Sequence, residues 1–222
     1  MILKKIYLTW RHGRGGGRFL VGVLHRETPY GDNIVFKYLT EEMEKAKDAG
    51  FFNYPEFPDL EREYNINIKT AFSLRLMPKS RADRERYLSF WNANIDGLDW
   101  FDELGYTQGK LATDTFEFMA DFPKRFNGEG VNFVSNVAGL THLKLPLDII
   151  NENDKLRFEL DAANLFDNMA VKIFKGNELI GYVKRGHHLF FHKVLNQEID
   201  MRVKAIEKNG SINQIYYSVK IK

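Results

Sequence analysis

The sequence has no cysteine, only six prolines and no apolar run close to the roughly 20 residues of a membrane-spanning helix. Without cysteine it can form no disulfide, no thiol nucleophile and no Cys-based zinc site. Its first ten residues contain lysines but no apolar segment followed by a cleavage site, so they indicate a β-strand rather than a secretory signal. These absences favour a cytoplasmic protein without a membrane partner.

A strong charge of either sign is also missing, because the formal net charge is only +2. Residues 131–222 carry 13 Lys and Arg against 10 Asp and Glu, which gives +3. Residues 1–130 carry 19 against 20, which gives −1. This weak asymmetry permits a nucleic-acid partner for the second half but does not require one.

The chain divides at a polar segment with two glycines, residues 124–130. Such a composition is typical of a domain boundary. We therefore predict a first domain at 1–123, a linker at 124–130 and a second domain at 131–222. Both mix short strands with short helices, so the predicted fold class is α+β.

The first domain is predicted to be a small sheet with helices. Its strands are runs with β-type composition, at 3–10, 19–24, 34–38 and 115–122. Its helices are placed by capping residues and glycines, which put them after Thr40, from Ile68, after Ser80 and just before Gly105.

The second domain is predicted to be a small, partly closed β-barrel related to OB-type folds. Its strands are runs in which apolar and polar residues alternate, at 133–137, 155–161, 199–205 and 215–221. A hairpin at 170–183 adds two more strands around a Lys-Gly-Asn turn. Two short helices are expected, at 146–150 and 186–195.

Catalytic and metal-binding constellations are weak throughout, so we expect a non-enzymatic protein without a cofactor. His187, His188 and His192 suggest a metal site, because residues at i and i+4 share a helix face, but no His/Glu signature supplies the third ligand that zinc needs. The glycine-rich stretch at 11–18 runs into another strand rather than a helix, which favours a hairpin loop over a phosphate cradle.

Five helical carboxylates are interpreted as solvated, namely Asp83, Glu85, Asp99, Asp102 and Glu103. A basic cluster is interpreted as a solvated face or a contact for phosphate or an acidic partner, namely Arg75, Lys79, Arg81, Arg84 and Arg86.

One loop is unusually rich in groups that can hydrogen-bond a ligand. Asn164, Asp167 and Asn168 precede the hairpin strand that begins near Ala170. Such side chains often cap turns by bonding to nearby backbone N–H groups. The residues alone leave both interpretations open, a turn cap or a ligand contact.

The stretch from Asn164 to Ile173, followed by Ile180-Gly-Tyr-Val183, resembles the core of the HIRAN domain. The usual HIRAN pattern is Asn-Pro-Tyr-Asp-x-Asn-Ala-Ile/Val-x-Val, then a turn and Ile/Val-Gly-Tyr/His-Ile/Val. Residues 137–142 are similar to the opening strand and turn of that family. The likeness covers roughly the last ninety residues, with Leu165, Phe166 and Met169 in place of the family's Pro, Tyr and Asn.

The resemblance implies single-stranded DNA binding with capture of the free 3′-hydroxyl end. Asp167 matches the family's carboxylate for that hydroxyl, Asn164 a neighbouring polar contact, and Phe166 the ring beside the terminal nucleotide. Thr141 and His142 stand where the family has Arg and an aromatic residue. Tyr182 and Arg185 match positions that line the DNA backbone.

Residues 1–123 resemble the N-terminal subdomain of HipA-type toxin kinases. The resemblance is carried by structural motifs at 7–10, 21–24, 36–38, 76–78, 102–105, 113–116 and 122–123. The kinase core that follows in that family is absent from residues 124–222. The resemblance therefore implies an adaptor domain without kinase activity.

Together these observations predict a non-catalytic protein that recognises 3′ ends of single-stranded DNA and carries an adaptor domain. A first alternative is a protein-interaction or antitoxin-like regulator that docks on a HipA-like kinase. A second is an accessory part of a helicase or nuclease system, although the sequence carries no helicase motif or nuclease metal site.

Overall fold

The structure is a computed structural model that describes residues 3–13, 16–28, 31, 33–124 and 130–221. It confirms the α+β fold class and divides the chain into two compact units, residues 1–121 and 122–222. Most of the predicted linker, 125–129, lies outside the described residues. No described helix is long and apolar enough to cross a membrane.

Unit 1 is built on a four-stranded antiparallel sheet with the order β3-β2-β1-β4. Its strands are β1 Lys5–Arg11, β2 Arg18–Arg26, β3 Ile34–Tyr38 and β4 Phe116–Ala120. Its helices are α1 Met43–Asp48, α2 Ile68–Ser73, α3 Arg84–Phe90 and α4 Trp100–Thr107. Arg11 pairs with Arg18, so the glycine-rich stretch joins two antiparallel strands as predicted, with residues 14 and 15 outside the described part.

Aromatic side chains fill the core of unit 1. The Phe36 ring lies 4.9 Å from the rings of Tyr38 and Phe57, and the Phe72 ring lies 5.0 Å from that of Phe118. Burial of rings of this size is a main source of stability in a small domain.

The boundaries of three helices differ from the prediction. α1 begins after Glu42 rather than Thr40, and the Glu42 carboxylate accepts the Leu20 N–H at 2.7 Å instead of capping the helix. α3 begins after Asp83, so Ser80 is not its capping residue. Gly105 lies inside α4 and does not end it. A Cβ at this position would come within 2.4 Å of Leu3 Cδ1, so the glycine permits close packing.

Three of the five helical carboxylates form ion pairs with buried or half-buried arginines, so the interpretation of these three as solvated groups is wrong; the pair of Asp83 with Arg81 is exposed. Asp102 is fully buried, accepts the Leu3 N–H at 2.6 Å and lies 3.6 Å from an Arg26 nitrogen. Asp99 caps α4 and pairs with both terminal nitrogens of Arg26, at 2.7 and 2.8 Å. Glu103 is buried and pairs with Arg84. Buried charges are paired in this way because an unpaired one is very costly.

The basic cluster does not form one solvated face either. Arg75 is buried, donates to the Tyr54 hydroxyl at 2.8 Å and pairs with Asp114. Its guanidinium also lies over the ring of Phe118, 5.2 Å from the centroid. This residue holds the core of unit 1 together, whereas Lys79 and Arg86 are exposed.

Unit 2 contains a six-stranded antiparallel sheet with the order β5-β10-β9-β6-β7-β8. Its strands are β5 Asn132–Asn136, β6 Lys155–Leu160, β7 Val171–Lys175, β8 Glu178–Tyr182, β9 Ile199–Lys208 and β10 Ile212–Ile221. Its helices are α5 Leu140–Leu143 and α6 His188–Lys193.

The two edges of this sheet meet, which makes it a partly closed barrel. Ala138, just after β5, forms an antiparallel bridge with Tyr182 at the end of β8. Each residue donates its backbone N–H to the other's carbonyl oxygen, at 2.8 and 2.9 Å. The curled sheet confirms the predicted OB-like architecture.

Two local predictions for unit 2 are wrong. Residues 146–150 form a turn rather than a helix, and the short helix lies earlier, at Leu140–Leu143. Leu160, which the alternation of 155–161 predicts to face inward with Leu156 and Phe158, is exposed, because β6 ends there and the chain enters the polar loop. Phe158 is half-buried, with its ring 4.9 Å from that of Phe191.

We expect a fragment of residues 122–222 to fold alone and to be more stable than residues 131–222. Phe122 is buried and its ring stacks on Phe133 at 4.0 Å, so the shorter fragment loses about 1.5–3 kcal/mol of burial. Thermal unfolding monitored by circular dichroism checks this. A fragment 122–222 without a cooperative transition, or equal midpoints for the two fragments, would contradict it.

Asp102 should make the stability of unit 1 depend on pH. Burial, opposed by the Leu3 hydrogen bond, raises the pKa of Asp102 to about 6. The folded state therefore binds a proton that the unfolded state releases near pH 4, and this contribution is lost as the pH rises through 6. Its size is about 3 kcal/mol at most.

The matched variant is Asp102→Asn, which keeps an acceptor for the Leu3 N–H and cannot titrate. We expect the stability of this variant relative to wild type to improve between pH 4 and pH 7, measured by urea unfolding. A difference between the two proteins that does not change with pH would show that Asp102 keeps an ordinary pKa.

Candidate nucleic-acid interface

The predicted polar loop connects β6 to β7 and is closed by its own backbone. The Asp161 N–H donates to the Ala170 carbonyl at 2.8 Å, and the Ala170 N–H donates to the Asp167 carbonyl at 2.9 Å. The loop is therefore held at its base, while its tip extends into solvent.

Asn164 is the internal brace of the loop. Its Oδ1 accepts the backbone N–H groups of Phe166 at 3.0 Å and Asp167 at 3.1 Å. Its Nδ2 donates to Asp161 Oδ2 at 3.0 Å. The turn-cap interpretation of Asn164 is thus confirmed, whereas its predicted contact with a ligand stays a prediction.

Asp167 has both a structural bond and spare acceptor capacity. Its Oδ1 accepts the Met169 N–H at 3.0 Å, and its Oδ2 lies 3.4 Å from Arg185 Nε. A carboxylate offers about four lone-pair sites, so these contacts leave room for a further donor. The side chain is one-fifth exposed and that of Arg185 about one-quarter, so a ligand can reach both.

The Asp167–Arg185 pair has two histidines beside it. Burial lowers the pKa of His188 to about 4; Asp167 opposes this shift, and Arg185 and His192 reinforce it. His188 Nδ1 accepts the Gly186 N–H at 2.8 Å, and His192 Nε2 lies 3.0 Å from the Met169 carbonyl oxygen. His188 is therefore neutral at neutral pH.

The histidines are engaged with the protein, including His187, whose Nδ1 lies 2.8 Å from Ser135 Oγ. Within the described ranges, no three His, Asp or Glu side chains are placed to hold a metal ion.

Two apolar side chains stand in solvent at the tip of the loop. Phe166 is 92% exposed and Leu165 is 94% exposed. An exposed ring next to a carboxylate and an arginine can stack on a nucleobase. The HIRAN pattern singles out Phe166 but not Leu165, whose place in that pattern belongs to a proline.

Lys172 joins the polar loop to the hairpin formed by β7 and β8. Lys172 on β7 lies opposite Tyr182 on β8, and its Nζ lies 3.0 Å from Asp161 Oδ1. Hydrogen bonds from Asn164, Lys172 and Tyr182 lower the pKa of Asp161, so this carboxylate is ionised. Sequence reasoning missed Asp161 and Lys172. The alternation of β7 could have indicated Lys172, because it places this side chain on the other face of the strand from the buried Val171 and Ile173.

The Ala138–Tyr182 bridge places Thr141 and His142 on the side of unit 2 that carries the polar loop. Gly139 follows Ala138 with a φ of 82°, and a Cβ there would lie 3.3 Å from the Tyr182 ring. Thr141 and His142 come next, on α5, and both are exposed. The bridge thus places α5 beside the tyrosine that contacts Asp161; binding roles for all seven predicted residues stay predictions.

Comparisons with known proteins yield little beyond this geometry. No family model matches the sequence, and no curated protein matches it. Among solved structures, the HIRAN domain of human HLTF is similar over 44% of this chain and 84% of its own length, with 20% identity and a TM-score of 0.33. A likeness at that level does not establish a family, and the two resemblances drawn from the sequence stay predictions.

Gly181 should be essential for this arrangement, and Gly176 offers a control. At Gly181 φ is 147°, and a Cβ would lie 2.3 Å from Val137 Cγ1 and 2.6 Å from the Ala138 carbonyl oxygen. Gly176 also has a positive φ, of 57°, but nothing lies within 4 Å of a Cβ there. Gly176→Ala should cost about 1 kcal/mol of stability, and Gly181→Ala at least twice as much.

Chemical denaturation of the two variants checks this difference. Exchange of the Ala138 and Tyr182 amide hydrogens should also become faster in Gly181→Ala alone. Equal destabilisation by both substitutions would mean that the close approach of the two edges is unimportant.

Proposed function

We propose that residues 122–222 are a non-catalytic module that binds single-stranded DNA and captures its free 3′ end. The observation that carries this proposal is the Asp167 carboxylate, which keeps spare acceptor sites beside Arg185 and the exposed Phe166 ring. The HIRAN-like spacing of Asn164, Asp167 and Tyr182 supports it independently.

A carboxylate suits a terminal hydroxyl because the hydroxyl can donate a hydrogen bond to it. A 3′-phosphate has no such advantage, since its charge is repelled by Asp167. Arg185 next to Asp167 supplies a cation for the phosphate one step along the strand. The 3.4 Å pair therefore matches the two groups that a free 3′ end presents, a hydroxyl and a neighbouring phosphate.

Phe166 supplies the apolar part of the site. A ring that is already 92% exposed can stack on the terminal base without moving out of a core. Stacking of a base on an aromatic ring contributes about 1–3 kcal/mol and tolerates any base. We place Thr141, His142 and Tyr182 along the strand beyond the terminal nucleotide.

The exposed pair Leu165 and Phe166 also favours one alternative, a protein partner. Adjacent apolar side chains that stand in solvent are common at interaction sites. In that case unit 1 would act as the adaptor, and the partner would be a HipA-like kinase, as the resemblance of residues 1–123 implies.

Substitution of Asp167 tests end capture. Asp167→Ala should weaken binding to a strand with a 3′-hydroxyl by roughly tenfold or more, because it removes a charged hydrogen bond worth about 1.5–3 kcal/mol. The same variant should leave the already poor binding of a 3′-phosphorylated strand nearly unchanged. Fluorescence anisotropy on short oligonucleotides at fixed salt measures both affinities.

Two further variants separate the possible roles. Asp167→Asn keeps an acceptor for the Met169 N–H and removes the charge, so its binding defect cannot come from a lost turn cap. Arg185→Ala should weaken strands with either end about equally, as loss of a phosphate contact does. Equal wild-type affinity for both ends would refute end capture, and absence of binding would favour the protein partner.

A further inference from the structure

The outward side of the sheet of unit 2 carries a row of cations that leads away from the polar loop. On β6, Lys155, Arg157 and Glu159 are exposed and alternate with the buried Leu156 and half-buried Phe158. Glu159 lies opposite Lys172, which bonds to the polar loop through Asp161. Lys155, at the other end of β6, lies opposite Arg202 on β9. The same face of the sheet therefore connects the loop with a distant basic region.

That region surrounds a depression of about 590 Å³. Lys155, Arg202 and Lys220 line it, together with the acidic Glu198 and Asp200. Lys220 on β10 lies opposite Asp200 on β9, so the cations come from three adjacent strands. A concave surface with several cations can follow the backbone of a polyanion.

The depression is lined by three cations and two carboxylates, a surplus of one positive charge. Arg202 pairs with Asp200 on its own strand, at 3.0 Å. Neither Lys155 nor Lys220 forms an ion pair with any residue in the described part of the chain. Lys155 lies directly opposite Arg202, and like charges in that arrangement on neighbouring strands are destabilising.

A stacking surface lies between the loop and the depression. The Arg157 guanidinium covers the Phe174 ring, 4.2 Å from its centroid, and Arg157 Nε donates to the Gly176 carbonyl at 2.7 Å. Arg157 also pairs with Glu159. These contacts hold the guanidinium over the ring, with 43% of its side chain exposed. A guanidinium held in this way can stack on a base.

We propose that this face, from Lys172 past Arg157 to Lys155 and Lys220, is a second contact region for the phosphates of single-stranded DNA. The proposal rests on the proposed function, because it extends the bound strand from the 3′ end at Asp167. The four residue steps from Lys155 to Glu159 cover about 13 Å and each crossing to a neighbouring strand adds about 5 Å, so the path holds several nucleotides. The site size is then within the range of about 4–16 nucleotides known for OB-type folds.

The test compares strands of two, four, six and eight nucleotides with a free 3′-hydroxyl, by fluorescence anisotropy on the full chain. Wild-type affinity should rise with length beyond four nucleotides. Lys155→Ala combined with Lys220→Ala should reduce affinity for the eight-nucleotide strand on the order of tenfold at about 0.15 M salt. The slope of log K against log salt should fall by about 1.4, since each contact with a single strand contributes about 0.7.

The double variant breaks no ion pair of the described residues, and its melting temperature serves as the folding check. The matched control is Lys37→Ala with Lys110→Ala, which removes the same charge from exposed positions of unit 1. An equal loss in the control would show an effect of net charge and overturn the second contact region. Affinity that does not rise with length would also overturn it.

Failure of the second region differs from failure of end capture. Two-nucleotide strands that distinguish a 3′-hydroxyl from a 3′-phosphate, without any gain for longer strands, would leave end capture standing alone. Two-nucleotide strands bound equally with either end, with a gain that disappears in the double variant, would support the basic path without end capture. Absence of binding to every strand would overturn both.

Discussion

The pair of backbone hydrogen bonds between Ala138 and Tyr182 is the constraint on which the candidate site depends. It joins the two edges of the six-stranded sheet and brings α5 beside the end of β8. Only a residue without a side chain fits at Gly181, next to Val137 and the Ala138 carbonyl. Tyr182 also bonds to Asp161 at the base of the polar loop, so the bridge sets α5 beside a residue of the candidate site.

The polar groups of the loop both fix its conformation and remain accessible to a ligand. Asn164 accepts two backbone N–H groups and donates to Asp161, and Asp167 accepts the Met169 N–H. These bonds fix the conformation of the loop, yet they leave acceptor sites on Asp167 and the whole ring of Phe166 accessible. A ligand that binds here therefore meets groups that are already in place, which reduces the ordering cost of binding.

Local patterns predicted much of the fold, whereas contacts between distant residues were beyond them. The Lys-Gly-Asn turn and the alternation of β7, β9 and β10 define strands from short windows of sequence. The burial of Asp102 depends on Arg26 and Leu3, which lie far away in the chain, so no pattern around Asp102 reveals it. In the same way, the spacing of Asn164 and Asp167 indicates a site, but Lys172 enters it only through its pairing with Tyr182 and Asp161.

The central claim is that the 3′ end of a single strand is held at the polar loop. Amide chemical shifts of the full chain, followed by NMR during titration with a short strand bearing a free 3′-hydroxyl, test this most directly. We predict that the largest shifts fall at 164–169, 139–142 and 182–185, and that they are much smaller with a 3′-phosphorylated strand. Largest shifts among residues 3–121, or identical shifts with both strands, would contradict the claim.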